Sequence, residues 1–151
     1  LQDQSEKARN YVFLLLKFRL RSEKEVIARL KIKKFDPAII KETVEFLKDK
    51  DFLNDKHFAS AWVNSRLKKP LGLRRIRQEL RLKGVDKEII DAKIEEVKKN
   101  YSEKVTVERI ARERIKRLEG LEPEKRKTRL FAYLMRRGFS TEDAMDAINQ
   151  L

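Results

Sequence analysis

The sequence predicts an all-α protein made of three tandem three-helix repeats, helix-turn-helix-like in form and elongated. Three observations carry that prediction. A pattern Leu-x-x-x-(Gly/Lys)-(Phe/Val)-(Asp/Ser) recurs about every 50 residues, as LKIKKFD at 30–36, LRLKGVD at 80–86 and LMRRGFS at 134–140. The same offsets keep apolar positions in register: Val26 with Ile76 and Leu130, Ile40 with Ile90 and Ala144, Val44 with Ile94 and Ile148. A fixed period of this length marks tandem supersecondary units. Finally, only four Gly and three Pro occur, so little of the chain can be flexible linker, and no strand signal of any strength is present. The repeats are placed at 1–51, 52–100 and 101–151, each a small core that is marginal alone and stabilised by its neighbours.

Nine helices follow, three per repeat. The first spans about residues 5 to 20, with Ala8, Val12, Leu15 and Leu16 on one face. Its YVFLLLKF run is apolar on most sides and is expected to be covered from two directions; a buried strand is the alternative, disfavoured by the charged helical flanks. Ser22 and Glu25 form a capping box that opens a helix carrying Val26, Ile27 and Leu30. Asp36-Pro37 starts the third helix, with Asp as N-cap and Pro at the first helical position, where its missing N–H costs nothing. Asn54-Asp55 opens the second repeat, with Phe58, Trp62 and Val63 at helical spacing. Pro70 and Gly72 precede a helix at about 73 to 83, which Gly84 ends in a left-handed conformation, and Asp86 caps the next. The third repeat opens with a helix at about 103 to 119, punctuated by Gly120 and Pro123; a second helix ends at Gly138, and Ser140 or Thr141 caps the last. Lys34 holds the position that Gly occupies in the other two repeats, at a strain of about 1 kcal/mol if that site is left-handed. Phe58, Trp62 and Phe131 read as packing residues, and Phe35 and Phe139 as plugs of the repeat cores.

Hydrophobic residues make up 40% of the chain and charged residues 42%, a balance that suits a high ratio of surface to core. The net charge of +13 points to a polyanionic partner, nucleic acid or a nucleoprotein before an anionic membrane. Cysteine is absent, which excludes disulfides and thiol chemistry and is compatible with a cytoplasmic location. The longest apolar run, 11–16, falls far short of a membrane span, and no secretory signal is visible. The first residue is Leu rather than Met, which points to a trimmed or missing native N-terminus.

Catalytic means are sparse. The one histidine, His57, has no second imidazole or thiol beside it for a transition-metal site, and reads as a solvated or structural residue. The glycines are isolated, so no phosphate loop exists, and the carboxylates are interleaved with Lys and Arg, as Glu42 and Glu45 are with Lys41 and Lys48. The expectation is a protein that is no enzyme and has no cofactor and no metal.

The basic residues are unevenly placed. Between 66 and 83 stand Arg66, Lys68, Lys69, Arg74, Arg75, Arg77, Arg81 and Lys83, with Glu79 the only acid among them. On a helix, Leu73, Ile76 and Leu80 face the core while Arg74, Arg77 and Arg81 lie together on its flank and back. A row of guanidinium forks suits phosphates or carboxylates. The third repeat echoes this with Lys125, Arg126, Lys127, Arg129, Arg136 and Arg137, and the first more weakly with Lys24, Arg29, Lys31, Lys33 and Lys34. Helix-turn-helix DNA readers carry their base-reading side chains on the last helix of the trio. Here the charge sits on the middle helices, which favours a repeated backbone-facing ridge over a sequence-specific repressor.

These residues resemble the RecX regulators of the bacterial recombinase RecA, over essentially the whole chain. The resemblance rests on Arg21-Ser22-Glu23-Lys24-Glu25, on FLNDKHFA at 52–59, and on LGLRRIRQEL at 71–80 followed by LKGV at 82–85. Lys34 departs from the usual Gly, and the third repeat carries the pattern with little of the signature. The resemblance implies an elongated, curved arrangement of the three-helix repeats, and an inhibitor that lodges in the groove of the RecA–DNA filament and suppresses ATP hydrolysis, strand exchange and cleavage of the SOS repressor. The implied partners are the RecA filament on DNA and, weakly and non-specifically, the DNA phosphate backbone. No membrane partner is expected, and the protein would act as a monomer. The expected contact residues are Arg66, Lys68, Lys69, Arg74, Arg75, Arg77, Arg81, Lys83, Arg136 and Arg137. A helical DNA- or RNA-binding protein independent of RecA, of transcription-factor type, is the chief alternative, and a protein–protein adaptor the third.

Overall fold

The computed structural model describes residues 2–151, and every regular element among them is helical. The first trio is α1 (Gln2–Phe18), α2 (Glu23–Ile32) and α3 (Pro37–Asp49). The second is α4 (Asp55–Arg66), α5 (Leu73–Leu82) and α6 (Lys87–Lys98). The third is α7 (Glu103–Ile115), extended by a 3₁₀ turn (Lys116–Leu118), then α8 (Pro123–Arg136) and α9 (Thr141–Asn149). The described residues divide into two compact units. One holds the chain up to Trp62 together with Leu80–Asp91, and the other holds Val63–Glu79 with Ala92–Leu151, so the second trio contributes to both.

Burial follows the repeated apolar register residue by residue. Val26, Ile76 and Leu130 are fully buried, as are Leu30, Leu80 and Leu134, and the triplets led by Ile40 and Val44 are buried as well. In the first unit, Ala8 and Val12 of α1 pack with Val26 and Leu30 of α2 and with Val44 and Leu47 of α3. In the second, Val107, Ile110 and Ala111 of α7 meet Leu130 and Leu134 of α8 and Ile148 of α9, closed by Phe139.

The turn between the second and third helices of each trio is one motif used three times. Lys34, Gly84 and Gly138 have φ of 66°, 81° and 89°, so all three are left-handed. The amide after each donates back five residues: Phe35 to the Leu30 carbonyl, Val85 to Leu80 and Phe139 to Leu134, at 3.3, 3.1 and 3.2 Å. Those bonds satisfy carbonyls that the helix end would leave open. The Ser22–Glu25 capping box is complete, and Ser140, rather than Thr141, caps α9 by accepting from the Asp143 amide. Asp36 stands at the N-cap of α3 with Pro37 behind it, but its side chain makes no capping bond.

Two features depart from expectation. The apolar run of α1 is covered only in part: Val12 and Leu15 are buried and Tyr11, Phe13 and Leu16 are half-buried against the core, but Leu14 and Phe18 are exposed, Phe18 by 83%. The helix α8 is about one turn longer than its counterparts. It begins seven residues before Leu130, whereas α2 and α5 begin three residues before Val26 and Ile76.

Candidate anion-binding surface

The second trio presents the densest run of cations, and their surroundings sort them into two groups. Arg66, in the last turn of α4, makes a two-pronged bond to Glu79 of α5: Nε donates to Oε1 at 2.9 Å and an Nη to Oε2 at 2.6 Å. Arg75 approaches the same carboxylate at 3.6 Å from one turn away. Parallel guanidinium–carboxylate forks are both the strongest and the most directional ion pairs. The one acid in the run is therefore where α4 and α5 are tied.

The turn after α5 is held by the start of α2. Ser22 Oγ donates to the Lys83 carbonyl at 2.6 Å, and Lys83 Nζ reaches Glu25 at 3.0 Å while lying 5.2 Å from the centre of the Trp62 ring. Glu25 also accepts from Arg19 and from the Ser22 amide. Burial alone would push its carboxyl up, yet these hydrogen bonds hold it down at about 2. Asp55, at the start of α4, accepts from the Glu23 amide at 2.9 Å and so caps α2 from outside it. Burial raises its carboxyl despite that bond.

The start of α5 is held by the turn after α8 in the same manner. The Gly72 amide donates to the Arg137 carbonyl at 2.8 Å, and Arg137 Nε returns a bond to the Pro70 carbonyl at 2.8 Å. Arg75 donates to the Arg136 carbonyl at 3.2 Å and Arg74 to that of Met135 at 3.3 Å, supplying cations to the end of α8, where the helix dipole favours them. Glu103, at the start of α7, faces the amides of Leu73 and Ser140, and burial raises its carboxyl too. The approach is close enough to demand glycine. A Cβ on Gly72 would stand 2.1 Å from the Gly138 oxygen, and one on Gly138 would stand 2.2 Å from the Arg75 Cβ.

Of the ten residues singled out from the sequence, Arg66, Arg75, Lys83 and Arg137 are thus engaged in holding helices together, and Arg74 adds one bond at 3.3 Å to the Met135 carbonyl from an otherwise exposed side chain. Lys68, Lys69, Arg74, Arg81 and Arg136 are exposed, and Arg77 is half-buried. Arg74 and Arg81 mark the two ends of the exposed face of α5. Sequence reasoning misses the partnership between α7 and the 68–70 loop. There Arg109, Arg114 and Arg117 line a concavity with Lys68 and Lys69. Their spacing along α7 is readable, but the loop's approach to them is a tertiary contact with no local signature. No helix among the described residues is long and apolar enough to cross a membrane.

Comparison with known proteins gives a consistent result along the chain. Residues 8–47, 54–94 and 106–148 match the family models for the first, second and third three-helix domains of RecX. The regulatory protein RecX of Mycobacterium sp. (strain KMS) is 34% identical over 152 residues, covering 97% of this chain and 82% of that protein. Its counterpart from Haemophilus influenzae (strain PittEE) is 33% identical over 147 residues, covering 97% and 95%. The crystal structure of RecX from Lactobacillus salivarius superposes with a TM-score of 0.82 over 100% of this chain and 98% of that one, at 24% identity. A second crystal structure, of a regulatory protein RecX, gives 0.83 over 99% and 73%, at 20% identity. At such identities the superpositions speak for the fold.

Proposed function

The chain belongs to the RecX family, and on that premise we propose that it is a non-enzymatic, negative regulator of the RecA recombinase. It lodges as a monomer in the groove of the RecA–DNA filament, in the cytoplasm, and lowers ATP hydrolysis, strand exchange and SOS repressor cleavage. The observation that carries this reading is the division of labour on α5. Glu79 is taken up by Arg66 and Arg75, while Arg74 and Arg81 stay on the exposed face, where no ion pair reaches them among the described residues. Guanidinium groups presented without competing acids suit phosphodiesters and the acidic side chains of a protein filament alike. Lys68, Lys69 and Arg136 extend the exposed cationic set, and Arg77 completes the α5 row.

The test is a comparison of the parent chain with Arg74→Glu/Arg81→Glu, using ATP hydrolysis by RecA filaments and retention on filaments against naked DNA. The double variant keeps its helicity and loses at least tenfold in inhibition. Unchanged inhibition removes the assignment of this face. Retention on naked duplex equal to that on filaments, with discrimination between sequences of 10³-fold or more, would point instead to a sequence reader independent of RecA.

A further inference from the structure

We propose that the concavity between the 68–70 loop and α7 is a built site for a phosphate group. The space is about 240 Å³. That is below the range of pockets for drug-sized ligands and of a scale for one compact anion. Five cations line it, Lys68, Lys69, Arg109, Arg114 and Arg117, against a single carboxylate, Glu113. Glu113 is spoken for by Arg109, one turn away at 3.5 Å. Ile110 is buried and forms part of the wall together with Pro70 and Tyr133. A one-signed rim over low-dielectric walls concentrates the field and draws in a counter-charge.

The site is ordered before any ligand arrives. The Arg114 guanidinium lies 4.2 Å from the centre of the Tyr133 ring, which fixes its plane. The loop bearing Lys68 and Lys69 is pinned at two points, by the Lys69 amide on the Arg66 carbonyl at 3.0 Å and by Arg137 Nε on the Pro70 carbonyl at 2.8 Å. Arg109, Glu113 and Arg117 repeat at four-residue intervals and so share one face of α7 and its 3₁₀ extension. Held close together with one acid among them, these like charges repel one another, and a bound phosphate relieves that repulsion. The ligand class is an oxyanion with several acceptor oxygens, which guanidinium forks bind through paired hydrogen bonds. This site shares Lys68 and Lys69 with the exposed cationic set but draws its other cations from α7 and the 3₁₀ turn, away from the α5 face, and it stands without any role for the recombinase.

Two probes separate a phosphate carried on a polynucleotide from a free one. Amide resonances of the full chain are followed by NMR during titration with inorganic phosphate, then with a ten-residue oligothymidylate, with chloride at matched ionic strength as control. Saturable shifts at Lys68, Lys69, Arg114 and Tyr133 with phosphate, absent with chloride, are expected. The same amides moving at a tenfold lower concentration of oligothymidylate assign the site to a nucleic-acid strand; movement with inorganic phosphate alone assigns it to the free ion. Arg114→Gln/Arg117→Gln should weaken the response at least tenfold. Lys68→Gln/Lys69→Gln, on the exposed rim, should do likewise without touching the packing on Tyr133. No shift with either probe, an equal response to chloride, or parental binding by both variants overturns the proposal.

Discussion

Ser22 and Lys83, 61 residues apart, are joined by a 2.6 Å hydrogen bond from a buried hydroxyl to a main-chain carbonyl. The same hydroxyl accepts from the Glu25 amide, so one side chain both caps α2 and clamps it to the turn after α5. In the other unit the Gly72 amide takes the Arg137 carbonyl, and the geometry repeats with a backbone donor in place of a side chain. Replacing Ser22 by Ala removes a cap and leaves a half-buried carbonyl short of a partner. The two effects together are expected to cost about 2 kcal/mol. Urea denaturation of Ser22→Ala against the parent measures this, and a change under about 0.5 kcal/mol would show that water replaces the hydroxyl.

The three left-handed turn positions should respond differently to exchange. Lys34 carries its side chain at φ 66° on an exposed corner, so Lys34→Gly relieves strain and should raise stability by up to about 1 kcal/mol. Gly138→Ala adds that strain and drives a methyl group against the backbone of Arg75, whose nitrogen would lie 2.7 Å away. A loss of about 2 kcal/mol or more is expected. Gly84→Ala should fall between, since the atoms it meets belong to the flexible Lys24 side chain. Thermal melts should place Lys34→Gly highest, Gly84→Ala next and Gly138→Ala lowest.

A carboxylate held low, as Glu25 is at about 2 against an ordinary 4.5, binds its proton less readily folded than unfolded. Its stabilisation is complete above about pH 4.5 and is lost as pH falls toward 2. Glu25→Gln should therefore cost about 2–3 kcal/mol at pH 6, with the gap to the parent closing by pH 2. Glu103 runs the other way. Burial raises it, and one of its buried oxygens has no hydrogen-bond partner, so Glu103→Gln should be near neutral or stabilising at pH 7. Denaturant midpoints of both variants across pH 2–7 check the two signs.

Much of the fold is legible in the sequence because its signals are local. Periodic Leu30, Leu80 and Leu134, the Ser22 capping box and the glycines at 84 and 138 each declare helix, start or stop within a few residues. The left-handed Asp51 that follows α3 escapes such reading, since no Gly or Asn marks it and its place is fixed by the Phe52 amide returning to Leu47. The candidate surface is half legible. Charge density finds the 66–83 run, but the partners that engage Arg66, Lys83 and Arg137 come from α5, α2 and the 70–72 loop. Lys34 stands out as an exception, and its reason lies outside its own turn. Gly84 and Gly138 each receive a helix start from the preceding trio, whereas the Lys34 side chain is exposed.

That division between cations that hold the fold and cations that face outward gives the last prediction. Arg66 and Glu79 are both half-buried, and Arg66→Ala strips Glu79 of its two-pronged partner. Removing one member of a half-buried pair leaves Glu79 to the longer approach of Arg75 at 3.6 Å, and a cost of about 1–2 kcal/mol is expected. Arg81→Ala acts on an exposed side chain and should stay within about 0.5 kcal/mol, and Arg74→Ala, which also gives up its bond to the Met135 carbonyl, within about 1 kcal/mol. Binding should rank in reverse. Each phosphate left unneutralised flattens the plot of log affinity against log salt by about 0.7 on single strands. Removing Arg74 or Arg81 should flatten it, and removing Arg66 should leave the slope alone while the melting temperature drops. Arg66→Ala with a parental melting temperature and a flattened salt slope would return that residue to the contact surface and undo the assignment of Glu79 as its structural partner.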